Sequence, residues 1–161
     1  MTKSFIAARI MPYRNIPLFY RLWHLYLEPL FAISGAYYLH FAPALYHNFM
    51  PRSTNYNASS QIVYDQLASS YLFFAFVEGV LLRVVDNLRM WRWIVAALLL
   101  CDVGHCYAAW CEIGTDGLLD LSLWTGEVGV ANLLTVLPLF TRLAFLMGVG
   151  MGGEREGKWT R

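Results

Sequence analysis

Four apolar stretches of bilayer length each carry an ionisable residue near mid-depth: Glu28 in the first, Glu78 in the second, Asp102 with His105 in the third and Arg142 in the fourth. A charge at the bilayer centre costs roughly 2.5–3.5 kcal/mol on insertion scales, so four such spans imply that the groups face one another across a polar interior. An intramembrane ionisable residue is read by default as part of a functional site. Carboxyls, an imidazole and a guanidinium in an apolar enclosure suit proton chemistry. A carboxyl that stays neutral there donates a proton to an oxygen or an alkene, while an ionised one held by Arg142 or His105 takes a proton or orients water. Glu28, Asp102, Glu78, His105 and Arg142 are the expected catalytic residues. The matching reaction class is acid-initiated opening, cyclisation or isomerisation of a hydrophobic substrate.

The aromatic supply fits such a substrate. Tyr37, Tyr38, Tyr71, Phe73, Phe74, Trp110 and Trp124 can line an apolar site and stabilise developing positive charge through their ring faces. With Gln66 and Asn132, which lie nearer the luminal side, the expected substrate contacts are Tyr37, Tyr38, Gln66, Tyr71, Trp124 and Asn132. A plainer role competes at each charged position: Glu28 as a structural partner of Arg142, and Asp102 with His105 as interhelical contacts. His24, His40, His47 and His105 show no metal-ligand spacing, and the five-residue repeat of Cys101, Cys106 and Cys111 suits neither a disulfide nor a tetrahedral site. No metal is expected. No cofactor is expected either, since no nucleotide loop, nucleophile elbow or haem site is visible.

The elements that must position these groups follow from composition and span length. The 161 residues are 58% hydrophobic and only 14% charged, against ~25% charged in a soluble domain, and form one integral membrane domain over 1–161. Spans are expected at about 17–41, 62–82, 93–113 and 130–150. Each reaches the ~20 residues a helix needs to cross the hydrocarbon, and in lipid only a helix satisfies its own backbone at that length. The fold class is therefore all-α, a four-transmembrane-helix bundle. Basic residues cluster before the first span, around Arg83–Arg92 and after the fourth, so ten of the twelve Lys and Arg residues fall on one side, Arg52 and Arg142 excepted. The positive-inside rule then places both termini in the cytosol. The opening MTKSFIAARIMPYRN is basic without an adequate apolar core, so a cleaved signal peptide is not expected. Asn57-Ala58-Ser59 becomes a luminal glycosylation sequon, too close to the second span to be used.

Faces sharpen the picture. His24 and Glu28 are four apart, Asp102 and His105 three apart, and each pair shares a helix face. Pro29 directly follows Glu28 and Pro138 lies one turn before Arg142; each removes a helical N–H and leaves a carbonyl that needs a partner. Arg83 and Asp86 are expected at the interface. Gly35, Gly79 and the run from Gly148 to Gly153 are expected to permit close helix approach.

The stretch Leu27-Glu28-Pro29-Leu30-Phe31-Ala32-Ile33-Ser34-Gly35-Ala36-Tyr37 resembles the opening signature of a family of small fungal four-helix membrane proteins. Gln66-Leu67-Ala68, Glu78 with Leu82-Arg83, Asp102-x-x-His105, Trp124, Asn132 and Arg142-x-x-Phe145 through Gly148-Val149-Gly150 extend the likeness over about Tyr26 to Gly150. Some members sit in secondary-metabolite gene clusters and look like epoxide hydrolases, or epoxide-rearranging and cyclising enzymes, for polyketides, alkaloids and meroterpenoids. The architecture is similar, more distantly, to membrane-bound meroterpenoid cyclases and emopamil-binding sterol isomerases. The resemblance implies cofactor-free, metal-free acid/base chemistry on intramembrane carboxyls, and the expected location is the endoplasmic reticulum membrane. Expected partners are a hydrophobic small molecule and membrane lipid, with no nucleic acid; a homodimer stays open. The competing class is a non-enzymatic membrane protein that binds a lipid or sterol, or assists a partner enzyme.

Overall fold

The computed structural model describes residues 16–50, 55–120, 122 and 126–151. Among them the chain is helical, with no strand. Helix α1 covers residues 18–41, and Ala42, which leaves helical geometry (φ −143°, ψ 53°) before Pro43, ends it. The short α2, Pro43–Tyr46, leads into a 3₁₀ turn at His47–Phe49. Helix α3 spans Ala58–Val84. Its start is capped by Asn57, whose Oδ1 accepts from the Ser59 amide at 3.0 Å and the Ser59 hydroxyl at 2.9 Å. Helix α4, Leu88–Leu119, is capped by the Asn87 side chain and begins five residues before the expected boundary at Trp93. It breaks at Gly114 (φ 69°, ψ 179°), directly after the Ile113 at which the span was expected to end.

Helix α5 is Gly126–Leu146, four residues earlier than the 130–150 expected from hydropathy. The reason lies at its C-terminus. Gly148 adopts φ +77°, the Val149 amide bonds the Ala144 carbonyl at 2.9 Å, and the Gly148 amide bonds that of Phe145 at 3.0 Å. Those two bonds define a Schellman cap, which needs a residue in the left-handed region. Gly148 thus ends a helix, where close helix approach was expected of it. The Tyr20 hydroxyl donates to the Val149 carbonyl at 2.9 Å and pins the start of α1 to this turn.

Helix α1 packs chiefly on α3, and α4 on α5. The start of α1, the end of α3, the start of α4 and the end of α5 meet in one apolar core of Ile16, Tyr20, Leu25, Leu82, Trp91, Val95 and Phe145. A smaller cluster, Ala36, Leu39 and Ala68, joins α1 to α3 nearer the other end. There a Cβ on Gly35 would stand 2.7 Å from the Tyr71 ring, so glycine leaves room for the edge of that ring against α1. A Cβ on Gly79 would meet Pro29 only in ordinary contact, at 3.4 Å.

Polarity is inverted relative to a soluble bundle. The buried set includes His24, Glu28, Glu78 and Arg142, whereas Leu72, Phe73, Leu100, Val103, Leu133 and Phe140 are exposed. Among the described residues three helices are long and apolar enough to cross a membrane: Ala58–Val84, Leu88–Gly117 and Gly126–Leu146. Helix α1 is long enough, but Arg21, His24, Glu28 and His40 dilute its hydropathy. This is the distribution of an integral membrane protein.

Candidate acid–base site

Two π-helical turns build the site, one inside α1 at Trp23–Leu27 and one inside α3 at Val77–Leu81, and they pack on each other. Such turns are rare and cluster at functional sites. The first has a local cause. In a regular helix the amide of residue 29 would bond the carbonyl of Leu25, but Pro29 has no amide hydrogen and its ring crowds that carbonyl. The Leu25 carbonyl is instead taken by Arg83, whose Nη2 donates to it at 2.8 Å, while the guanidinium sits 4.5 Å over the Tyr26 ring. A residue expected merely at the interface thereby locks α3 to the irregular turn of α1.

The π turn also changes which side chains align. Its i-to-i+5 bonding, with the Glu28 amide reaching the Trp23 carbonyl, brings residue 23 level with residue 28. Trp23 Nε1 accordingly donates to Glu28 Oε1 at 2.7 Å. The other oxygen of Glu28 lies 2.6 Å from His24 Nδ1. Both π turns thus deliver acids to one point, since His24 Nδ1 is also 3.6 Å from Glu78 Oε1.

Arg142 closes the cluster from α5. Its Nη2 donates to Glu78 Oε1 at 2.8 Å and lies 3.3 Å from Glu28 Oε2, and its Nη1 donates to Asp102 Oδ1. Four of the five predicted catalytic residues, from four helices, are therefore brought together around one guanidinium. Burial is nearly complete: His24 is 0% exposed and Glu78 1%, while Asp102, at 14%, is the member nearest an opening. His24 Nε2, Asp102 Oδ2 and Arg142 Nε are buried without a hydrogen-bond partner among the described residues. His24 Nδ1, Glu28 and Glu78 also present ligand atoms within 4.8 Å of one another, a grouping the spacing of histidines along the chain did not suggest.

The remaining expected residues lie elsewhere. His105 turns from Asp102: its Nδ1 sits 3.0 Å from the Cys101 carbonyl, and its ring lies 6.3 Å from that of Tyr71. Tyr71 shares a 3.0 Å hydrogen bond with Tyr46, whose phenol burial holds above its ordinary value and so keeps neutral. Tyr37 is exposed, Tyr38 half-buried near Phe49, and Gln66 exposed. Asn132 is half-buried on α5, and Trp124 lies outside the described residues. The aromatic contacts on α1 begin nine residues beyond Glu28, about 13 Å along the helix, so they form a separate layer above the charged one. His24 and Trp23 were absent from the expected site. The four-residue spacing of His24 to Glu28 was the available signal for the first, and helical periodicity concealed the second.

Residues 13–152 match a family model described as a domain of unknown function, DUF7704, and the chain belongs to that family. No curated protein and no solved structure matches the chain.

Proposed function

We propose that this DUF7704 protein is a four-span membrane enzyme that opens an epoxide of a hydrophobic polyketide or terpenoid by acid/base catalysis, without a cofactor. The observation that carries this reading is the convergence of Glu28, Glu78, Asp102, His24 and Arg142 in a site almost free of solvent. Three ionised carboxyls against Arg142 and a protonated His24 leave a charge of −3 + 2 = −1, and burial of net charge is costly. One further proton neutralises the cluster. That proton is the one the enzyme delivers to the epoxide oxygen, leaving a carboxylate to receive a proton from attacking water or from an internal hydroxyl that closes a ring. Asp102, the least buried member with one oxygen unpartnered, is the natural donor. His24 holds Glu28 in place through Nδ1. Tyr71, Asn132 and His105, half-buried on α3, α5 and α4, are the residues we assign to substrate contact.

In this reading α1 is the fourth span, its polar residues turned onto the cluster, and both termini face the cytosol of an endoplasmic reticulum membrane. The second reading is a non-enzymatic lipid- or sterol-binding or partner-assisting protein. It is favoured by one feature, that Arg142 satisfies all three carboxyls at once, as a purely structural ion network would. Co-expression with enzymes that supply an epoxidised hydrophobic metabolite separates the two. Catalysis gives a new diol or cyclic product that vanishes with Asp102→Asn. An unchanged product profile with and without the protein refutes the enzymatic reading.

A further inference from the structure

Helix α4 carries two stripes of different character. Trp91, Val95 and Leu98 are buried and align with Asp102 along the side that meets the other helices. Arg89, Arg92, Trp93 and Ala96 are turned from Asp102 by roughly 80–180°, at ~100° per residue. Together with Leu146 of α5 they line a cavity of about 380 Å³.

We propose that this cavity takes the first carbons of an anionic membrane phospholipid, with the guanidiniums of Arg89 and Arg92 at its rim holding the phosphate headgroup. Arg89 and Arg92 are three apart and neighbours on the helix surface, and two guanidiniums are suited to bidentate contact with phosphate oxygens. Arg92 reaches toward the turn that closes α5, its Nη2 4.0 Å from where a Cβ on Gly148 would stand, so one guanidinium bridges both walls. Trp93 is 70% exposed, and an indole at this height suits the boundary between headgroups and hydrocarbon. Ala96 continues the wall one to two turns deeper on α4 and Leu146 adds apolar surface from the end of α5, where the glycerol and the first acyl carbons lie. Height fits as well: α4 starts at Leu88, so Arg89 and Arg92 occupy its first two turns, at the end of a membrane-length segment.

A lipid is the occupant because of the face. The cavity opens on the side of α4 turned from the charged cluster, toward the bilayer, so a molecule bound there has no path to Asp102 except around the helix. Basic pockets between transmembrane helices bind lipid headgroups by the same combination of charge and apolar wall. The site is independent of the proposed chemistry.

The test uses the full chain in nanodiscs of phosphatidylcholine containing a minor fraction of phosphatidylserine, with bound lipid quantified by native mass spectrometry. The wild-type protein should retain phosphatidylserine over phosphatidylcholine. Arg89→Gln with Arg92→Gln should lower that retention by roughly 30-fold, about fivefold per arginine, and the paired lysine variant should keep most of it. Should the double variant not accumulate, Arg92→Gln alone should show the fivefold loss. Equal retention by wild type and glutamine variants overturns the proposal. So does displacement of the lipid by millimolar inorganic phosphate, which would make the cavity a site for a soluble anion.

Discussion

Replacing Arg142 by leucine removes the only guanidinium in contact with Glu28, Glu78 and Asp102 among the described residues. The side chain is nearly as large and the position is 6% exposed, so solvent does not replace the lost donors. Three carboxyls then face one another with His24 as their remaining cation. Breaking a buried pair by deleting one partner costs roughly 3–5 kcal/mol. At about 2–4 °C per kcal/mol for a domain of this size, Arg142→Leu should melt roughly 6–20 °C below wild type, read by scanning fluorimetry in detergent. Neutralising the stranded partners should undo most of the loss, because a network removed whole is often nearly neutral. Arg142→Leu combined with Glu78→Gln and Asp102→Asn is therefore expected to melt within a few degrees of wild type. Arg142→Lys separates structure from chemistry. Separate nitrogens of Arg142 serve Asp102 and Glu78, and a single ammonium cannot reproduce that fork, so the lysine variant should fold yet lose most of its turnover. A leucine variant that melts within about 2 °C of wild type would refute the idea that these charges are coupled.

Other outcomes follow from the same geometry. Glu28→Gln and Asp102→Asn should each abolish turnover while accumulating in membranes, since the amides keep size and hydrogen bonding but donate no acidic proton; near-normal product from either removes that residue from the mechanism. Gly35→Ala should cost roughly 1–3 kcal/mol by driving a methyl into the Tyr71 ring, and adding Tyr71→Ala should make the change far milder in the same melt. Pro29→Ala restores an amide for the Leu25 carbonyl and frees Arg83, so the variant should fold but show lower activity, and Arg83→Gln should resemble it; full activity in both would detach the π turn from function. Cysteines introduced at Ser4 and Lys158 should label from one side of the membrane and one at Ser122 from the other, and a common response from all three overturns the topology.

The charged centre was legible because each of its members violates the solvent it lies in. Glu28, Glu78, Asp102 and Arg142 stand out in apolar runs, and mutual pairing is the inexpensive way to keep them there. The break in α4 at Gly114 was legible as the end of a hydropathic run, and the end of α5 was not, because the Gly148 cap is a backbone event that hydropathy does not weigh. Trp23 and the π turns were hidden for a related reason: periodicity reasoning assumes 3.6 residues per turn, and the turns depart from it. Pro29 announced that a carbonyl would need a partner. Nothing in the chain said that the partner would be Arg83, fifty-eight residues away. His105 pairs by spacing with Asp102, yet its own helix's Cys101 carbonyl lies nearer to hand.

The paired π turns also set a rule for how this chain can vary in length. Each is geometrically a single extra residue accommodated inside a helix, so deleting one residue between 23 and 27 would restore regular winding and leave the helix on either side facing as it does now. Tyr20 would keep its place at the Val149 carbonyl, and the deletion would act where the bulge stood, on Trp23 and His24 at Glu28. Because the two turns pack on each other, a deletion in α1 alone leaves the bulge of α3 without its complement. Among relatives, the one-residue gap should therefore be lost from both helices together or from neither, an indel signature that sequence comparison can look for without any structure in hand.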